Sequence, residues 1–404
     1  MSLGLRQAGF EILRAFDVWA VAVENYNRNI GPHAAVADLS DLLSTVTEIL
    51  KLAPDLICGG PPCQDYSNAG NRTEADNARL TLAFAMIVSI VRPRWFMMEN
   101  VIGCAKSATW VEARAILKRA GYGITESKIN ASRYGVPQSR RRLFVIGRIG
   151  ERDGFLASSI AAAAASRPMT LRHLFGGLAP SCRTHPDDAA LIENGYVYSR
   201  PVRAGRGVRS IDEPFPTVTR TAWERPTPRY LSAPHPADPV AASTTAVLTV
   251  PQISRIQGFP ESWQWRASSK HDILQMIANA VPSPVAASIG RVILDREAGR
   301  TAPEIQGGFL QWLVKRGRSK ASARNVKAAV ARARRLLAGR TFENQALEID
   351  ALESVPEFQC LRKSTQSDLR QALRLLTEYQ AEGRQRHRKL CQTATRLPEF
   401  AKAA

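Results

Sequence analysis

The apolar run Asp55-Leu56-Ile57-Cys58 is cut off by Gly59-Gly60-Pro61-Pro62, and Cys63-Gln64 follows at once. Paired glycines and paired prolines stop a strand, and the residue before each proline is pushed toward extended backbone, so no helix can begin until well past Cys63. The chain must leave the strand in a sharp turn that presents Cys63 and does not pack it. Cys58, inside the run, reads instead as a small buried hydrophobe.

Three further stretches share this logic. Arg94-Trp95-Phe96-Met97-Met98-Glu99-Asn100-Val101 is an apolar strand with an acid near its end, and Gln138-Ser139-Arg140-Arg141-Arg142 introduces the strand Leu143-Phe144-Val145-Ile146-Gly147. Far downstream stand Arg255-Ile256-Gln257-Gly258-Phe259-Pro260 and Gln275-Met276-Ile277-Ala278-Asn279-Ala280-Val281-Pro282. A short helix closed by Gly9, a strand over 10–17 ending in Asp17, and helices over 20–29 and 79–91 alternate with these strands. The pattern is that of an α/β, doubly wound, mostly parallel sheet, which binds ligands at the carboxyl edge of its strands. Cys63 and Glu99 then project from one edge. Asp17 stands where such sheets hold ribose hydroxyls. Arg140 and Arg142 alternate along an extended segment and share a face that Arg141 does not. Two such guanidinium forks suit a base oxygen and an ordered acid; they also suit a phosphate clamp.

Charge narrows the partner. With 55 Lys and Arg against 36 Asp and Glu, the formal net charge is +19, so an acidic polymer is the expected partner. Six cysteines at 58, 63, 104, 182, 360 and 391 form no C-x-x-C pair, which argues against a zinc site and against a secreted disulfide framework. A reducing compartment, the cytoplasm, is expected. No run comes near the eighteen or so apolar residues of a membrane span, and no signal-peptide pattern is present.

Along the chain, 65–77 is polar and reads as a long mobile loop, 102–130 as helix, glycine turn at Gly121 and strand. The helix over 79–91 carries a core-facing stripe of Leu80, Phe84, Ile87, Val88 and Val91. Beyond Gly150 the character changes: alanines at 161–165 precede a region to about 245 rich in Pro, Gly, Ser, Thr and Arg. From 297 a basic helical bundle is expected, with helices near 309–317, 321–337 and 367–382. The second of these should turn Val326, Ala329, Val330 and Leu337 inward and Arg324, Lys327, Arg334 and Arg335 outward. The tail should add affinity for the acidic polymer and not choice among its sequences.

Taken together, the ordered motifs resemble the bacterial DNA (cytosine-5) methyltransferases over about residues 1–295. The resemblance implies a catalytic methyltransferase core over 1–150, a target-recognition domain and hinge over 151–267, a return segment completing the core over 268–296, and the helical extension over 297–404. It implies methyl transfer from S-adenosylmethionine to carbon-5 of cytosine in a specific duplex DNA sequence, through a covalent cysteine adduct and base flipping. Cys63 would be the nucleophile, Glu99 the acid that activates N3 and accepts from the exocyclic amine, Arg142 the contact to O2, and Arg140 the support of the acid. Asp17, Val18, Asp38, Leu39, Pro62, Leu82, Asn279 and Val281 match cofactor contacts, and Gln64, Ser67 and Gln138 match DNA contacts. No metal is expected. The partners implied are duplex DNA and a cognate restriction endonuclease, with the protein a monomer outside the membrane.

Two departures stand out. Ala278 occupies a position where the family usually has Gly. The family also begins with a strand and a Gly-rich turn, Asp-Leu-Phe-x-Gly-x-Gly-Gly, before the helix that resembles Ser2-Leu3-Gly4-Leu5-Arg6-Gln7-Ala8-Gly9, so the chain as written is expected to bind S-adenosylmethionine poorly and to fold marginally. The alternative is a DNA-binding remnant of such an enzyme with impaired cofactor binding; a transfer-RNA methyltransferase with the same core is a third reading.

Overall fold

A computed structural model describes residues 1–61, 74–176, 185, 188–201, 205–298, 308–337 and 345–394. It divides into two units, one of Met1–Ala157 with Ala164–Leu294 and one of Ser158–Ala163 with Asp295–Ala404.

In the first unit, α1 (Ser2–Ala8) ends at Gly9, whose φ of 112° gives the left-handed cap that glycine permits. β1 (Ala15–Asp17), α2 (Ala20–Asn29), β2 (Ala34–Val36), α3 (Leu42–Leu52), β3 (Leu56–Gly59), α4 (Glu74–Val91) and β4 (Trp95–Asn100) follow. α5 (Ala108–Arg119), β5 (Tyr122–Asn130), β6 (Gln138–Ser139) and β7 (Arg141–Ile149) complete the part expected to be catalytic. The first strand is shorter than its sequence suggested. Phe10 N–H bonds back to Leu5 O, extending the helix cap, and the pairing with β2 starts only at Ala15.

The main sheet runs β3-β4-β7-β5. β3 is parallel to β4, whereas β7 is antiparallel to both β4 and β5, so the parallel character lies on the β3 side. β1 and β2 form a separate parallel pair. β4 is buried along its whole length, which explains why Trp95-Phe96-Met97-Met98 shows no alternation: Phe96 and Met98 pack under α4 and α5, and Trp95 meets Phe155. Phe84, Val88, Trp110, Leu117 and Tyr122 pack beside Phe96 and Met98 in one cluster. A second cluster joins Phe16 of β1 and Ile57 of β3 to Val46, Ile49 and Ile87.

Downstream come α6 (Ala157–Ala162), α7 (Leu171–Phe175), α8 (Ala189–Asn194), β8 (Tyr196–Tyr198), β9 (Val208–Ser210), β10 (Phe215–Pro216), α9 (Pro228–Ser232), α10 (Val250–Ile256), α11 (Lys270–Asn279) and α12 (Ser283–Glu297). The irregular middle of the chain has its own core: Leu171, Phe175, Ile211, Phe215 and Val218 pack against Ile253 and Ile256 of α10 and Leu274 and Ile277 of α11. The stretch Lys270–Glu297 is long and apolar enough by composition to cross a membrane, against the expectation that no run comes near that length. It is broken at 280–282, and most of its apolar window is buried in this core and under α1.

Two sets of contacts close the unit on itself. α1 lies directly on α12: a Cβ at Gly4 would stand 2.1 Å from Ser283 O, and one at Gly290 would stand 2.9 Å from Ala8 Cβ. Asn25 of α2 accepts from the Arg266 N–H at 2.7 Å and donates to the Arg266 carbonyl, while Asn29 exchanges both its amide groups with the backbone of Gln264.

The second unit contains α13 (Phe309–Lys315), α14 (Lys320–Leu336), α15 (Gln345–Glu353), α16 (Pro356–Gln359) and α17 (Lys363–Ala394). Phe309, Leu313, Ala323, Val330, Ala333, Leu352, Phe358, Leu369 and Leu373 form its core. One expectation fails here. Arg334 is 5% exposed and not outward, because it sits on the shoulder of the buried face, within electrostatic reach of Glu348. Burial pushes the Glu348 carboxyl above its ordinary value, and Arg334 opposes that rise.

Candidate active site

At the carboxyl ends of β3 and β4 the backbone comes close. A Cβ on Gly60 would lie 3.7 Å from Glu99 Oε2, in ordinary contact, which puts the turn beside the acid. Asn100 Nδ2 donates to Pro61 O at 3.3 Å, and Asn100 Oδ1 accepts from the Val101 N–H at 2.8 Å. Asn100 thereby ties the end of β4 to the turn that leads on to Pro62 and Cys63. Pro62, Cys63, Gln64 and Ser67 lie outside the described residues. Cys58 is part-buried in β3, and burial pushes its thiol above the ordinary value, which suppresses the thiolate a nucleophile requires.

Glu99 is 8% exposed and two arginines converge on it. Arg142 Nε approaches Glu99 Oε1 at 3.2 Å and Arg140 Nη2 approaches the same oxygen at 4.0 Å. β6 and β7 deliver them from one face, as the alternation predicts, and Arg141 is exposed. Arg142 also donates to the Arg141 carbonyl at 2.9 Å. Although Glu99 Oε1 has cations beside it, it is buried with no hydrogen-bond partner among the described residues. A buried carboxyl oxygen that lacks a hydrogen bond costs free energy. It is set to receive a donor from outside.

The same arginine reaches the other side of the site. Arg140 Nη1 donates to Ala278 O at 3.0 Å, and Gln257 Nε2 donates to Ala280 O at 2.6 Å. Asn279 and Val281 therefore flank carbonyls fixed by Arg140 and by Gln257 at the end of α10. Asn279 is exposed and accepts from Gln275 at 2.7 Å, while Val281 is 9% exposed. Ser283 Oγ caps the arrangement by donating to Gly258 O.

Gln138 requires a correction. It is fully buried; its Nε2 donates to Gln257 Oε1 at 2.6 Å and its Oε1 accepts from the Val218 N–H at 2.9 Å. Both ends of the amide are committed inside the protein, so it is a positioning residue and not a DNA contact. Gln257, within Arg255-Ile256-Gln257-Gly258-Phe259-Pro260, and Asn100, beside Glu99, are the site residues whose roles sequence reasoning left unassigned. A buried amide between two polar backbone groups leaves no mark in a hydropathy pattern.

The remaining cofactor candidates stand on the β1–β2 pair and on α4. Asp17 closes β1, is exposed, and accepts from the Trp19 N–H at 2.9 Å; Val18 beside it is 65% exposed. Asp38 follows β2, accepts from the Ser40 N–H at 2.8 Å, and these hydrogen bonds hold its carboxyl below the ordinary value; Leu39 is part-buried. Two exposed carboxylates and an exposed valine at neighbouring parallel strand ends suit an adenosine, whose ribose needs an acceptor and whose base needs an apolar face. Leu82, part-buried on α4, packs against the sheet core.

Residues 1–295 match the family described as C-5 cytosine-specific DNA methylase. Type II methyltransferase M.HindV of Haemophilus influenzae is 37% identical over 300 residues, covering 74% of this chain and 93% of that protein. Type II methyltransferase M.HgiDI of Herpetosiphon aurantiacus is 37% identical over 284 residues, covering 70% and 86%. The fold is similar to that of the S. pombe Dnmt2 methyltransferase, with a TM-score of 0.54 at 18% identity over 74% of this chain and 95% of that one.

Proposed function

Because the chain belongs to the C-5 cytosine-specific DNA methylase family, and is thus a DNA (cytosine-5-)-methyltransferase, we propose that it methylates a flipped-out cytosine of a specific duplex sequence through a covalent Cys63 adduct. The observation that carries this reading is Glu99 Oε1, buried, flanked by Arg140 and Arg142, and lacking a hydrogen bond among the described residues. A cytosine presented there offers what the oxygen lacks, a proton donor at its Watson–Crick edge.

Carbon-5 of cytosine is a weak nucleophile. On this proposal the Cys63 thiolate adds to carbon-6, forming a C–S bond, and the displaced ring electrons move toward carbon-5. Glu99 supplies the proton that neutralises the charge at N3, and it accepts from the exocyclic amine, which thymine lacks. Arg142 binds O2 and Arg140 holds Glu99 in place while bonding Ala278 O. Asp17, Val18, Asp38, Leu39, Pro62, Asn279 and Val281 would hold S-adenosylmethionine, which when bound supplies an electrophilic methyl group. Loss of the carbon-5 proton then lets the C–S bond break and returns the thiolate. The target cannot be reached inside a stacked duplex, so the base is extruded, with Gln64 and Ser67 against the DNA backbone. The type II names of the relatives support a place beside a cognate restriction endonuclease, and work on cellular DNA supports a cytoplasmic location.

The test is a duplex carrying 5-fluorocytosine. Fluorine at carbon-5 cannot leave as a proton, so elimination stalls and a covalent complex accumulates. Cys63→Ala should abolish it and Cys58→Ala should keep it. The reverse pattern, or an active enzyme that never traps, overturns the assignment.

A further inference from the structure

The second unit is electrically polarised. Residues 308–337 carry nine Lys and Arg and no acid, whereas 345–382 carry seven Asp and Glu against four Lys and Arg. The ion pairs of the unit form around the acidic half: Arg316 with Glu378 and Glu382, and Arg370 with Glu353. Among the described residues, the exposed cations of α14 take no part in them. Its buried side, Ala323, Val330 and Ala333, faces the bundle core, and its exposed cations are Lys320, Arg324, Lys327, Arg332 and Arg335. At 100° per residue, Lys320, Arg324, Lys327 and Arg335 fall within about 80° of one another. They form a stripe about 22 Å long.

A merely solvated helix face would not be built this way. Lys320 and Arg324 are four apart, Arg324 and Lys327 three apart, Arg332 and Arg335 three apart, and each like-charged pair at such spacing destabilises a helix by about 0.2–0.5 kcal/mol. Interspersed acids would remove that cost, and the same unit has acids to spare in its other half. We infer that the α14 stripe is a docking surface for the phosphate backbone of duplex DNA, adding sequence-independent affinity to the methyltransferase. Duplex DNA is the occupant because it is the polyanion the first unit acts on, and because a straight row of cations without an aromatic residue suits a regular phosphate backbone and not the stacked bases of a single strand.

The experiment uses the full chain and a 40-base-pair duplex of arbitrary sequence. The quadruple variant Lys320→Gln, Arg324→Gln, Lys327→Gln, Arg335→Gln should melt as the parent does, since all four side chains are exposed. Its dissociation constant at ~0.1 M salt should rise by roughly tenfold or more, and the log–log salt slope should flatten by about 3.6 units. A control with Arg362→Gln and Lys363→Gln, in the acidic half, should leave the slope unchanged, and Lys320→Arg with Lys327→Arg should bind as the parent. An unchanged affinity and slope in the quadruple variant overturns the inference. So does an affinity loss confined to single-stranded RNA, or a change only in sedimentation, which would assign the stripe to RNA or to the acidic half of a second copy.

Discussion

Arginine does two different jobs in this chain. Arg140 and Arg142 at the sheet edge are enclosed, aimed at one carboxylate and tied to backbone carbonyls, so their direction is fixed before any ligand arrives. Arg324 and Arg335 on α14 are exposed and repeat at helical spacing. The first arrangement can discriminate between atoms of a base. The second can only count charges. Burial and hydrogen bonding, and not residue type, separate specificity from affinity.

The sharpest way to break this contrast is kinetic. Arg142→Ala should lower kcat by about 10²–10³-fold, the range seen when one fixed donor to a reacting centre is removed. Glu99→Gln should cost about 10²–10⁴-fold, as for loss of a general acid. Arg324→Ala should leave kcat unchanged at saturating DNA. Steady-state methylation of duplex DNA measures all three, and a comparable kcat loss in Arg324→Ala would end the distinction.

Stability should divide the same way. Arg140→Ala leaves the buried Ala278 carbonyl without its donor and Glu99 with Arg142 alone, so urea unfolding should report a loss of about 1–3 kcal/mol. Gln257→Leu takes the partner from Gln138 Nε2 and from Ala280 O and should cost about 1–3 kcal/mol. Arg335→Ala should stay within about 0.5 kcal/mol of the parent. Equal losses in Arg140→Ala and Arg335→Ala would mean that burial is not the operative difference.

Thiol chemistry sharpens the comparison with a neutral probe. Burial raises the Cys58 thiol, so its thiolate fraction at pH 8 is below that of an ordinary cysteine and grows only as pH climbs further. Cys360 is exposed. Alkylation followed by peptide mapping should label Cys360 first, by about tenfold or more in rate at pH 8, with the gap narrowing at higher pH. Smallest of all, each single Lys or Arg to Gln change on the α14 stripe should flatten the salt slope of DNA binding by about 0.9 unit.

What could be read in advance follows the range of the interactions. Helix 20–29 and the Gly9 cap are local, and both were legible. α4 begins five residues before the expected 79, because Glu74 and the polar residues after it belong to its first turns and carry no apolar stripe. β2 and α3 were missed, β2 being a three-residue alanine and valine run with little signal. The meeting of Glu99, Arg140 and Arg142 was legible because strand alternation and ordered motifs suffice to bring them to one edge. Gln138 was misjudged for a reason of range: its partners are Val218 and Gln257, 80 and 119 residues away, and no local pattern announces them. The middle core was equally opaque, since Phe215 and Leu274 meet across irregular chain.

The contact of Gly4 and Ser283, with that of Asn25 and Arg266, sets a timetable for biosynthesis. The first helices of the catalytic unit rest on surfaces contributed by its last thirty or so residues, so neither can take its final place until α12 has left the ribosome. At about 5–20 residues per second that is a wait of roughly 15–60 seconds, during which α1 and α2 lack the surfaces they rest on. The unit cannot mature from its beginning onward. It closes like a clasp, end to start.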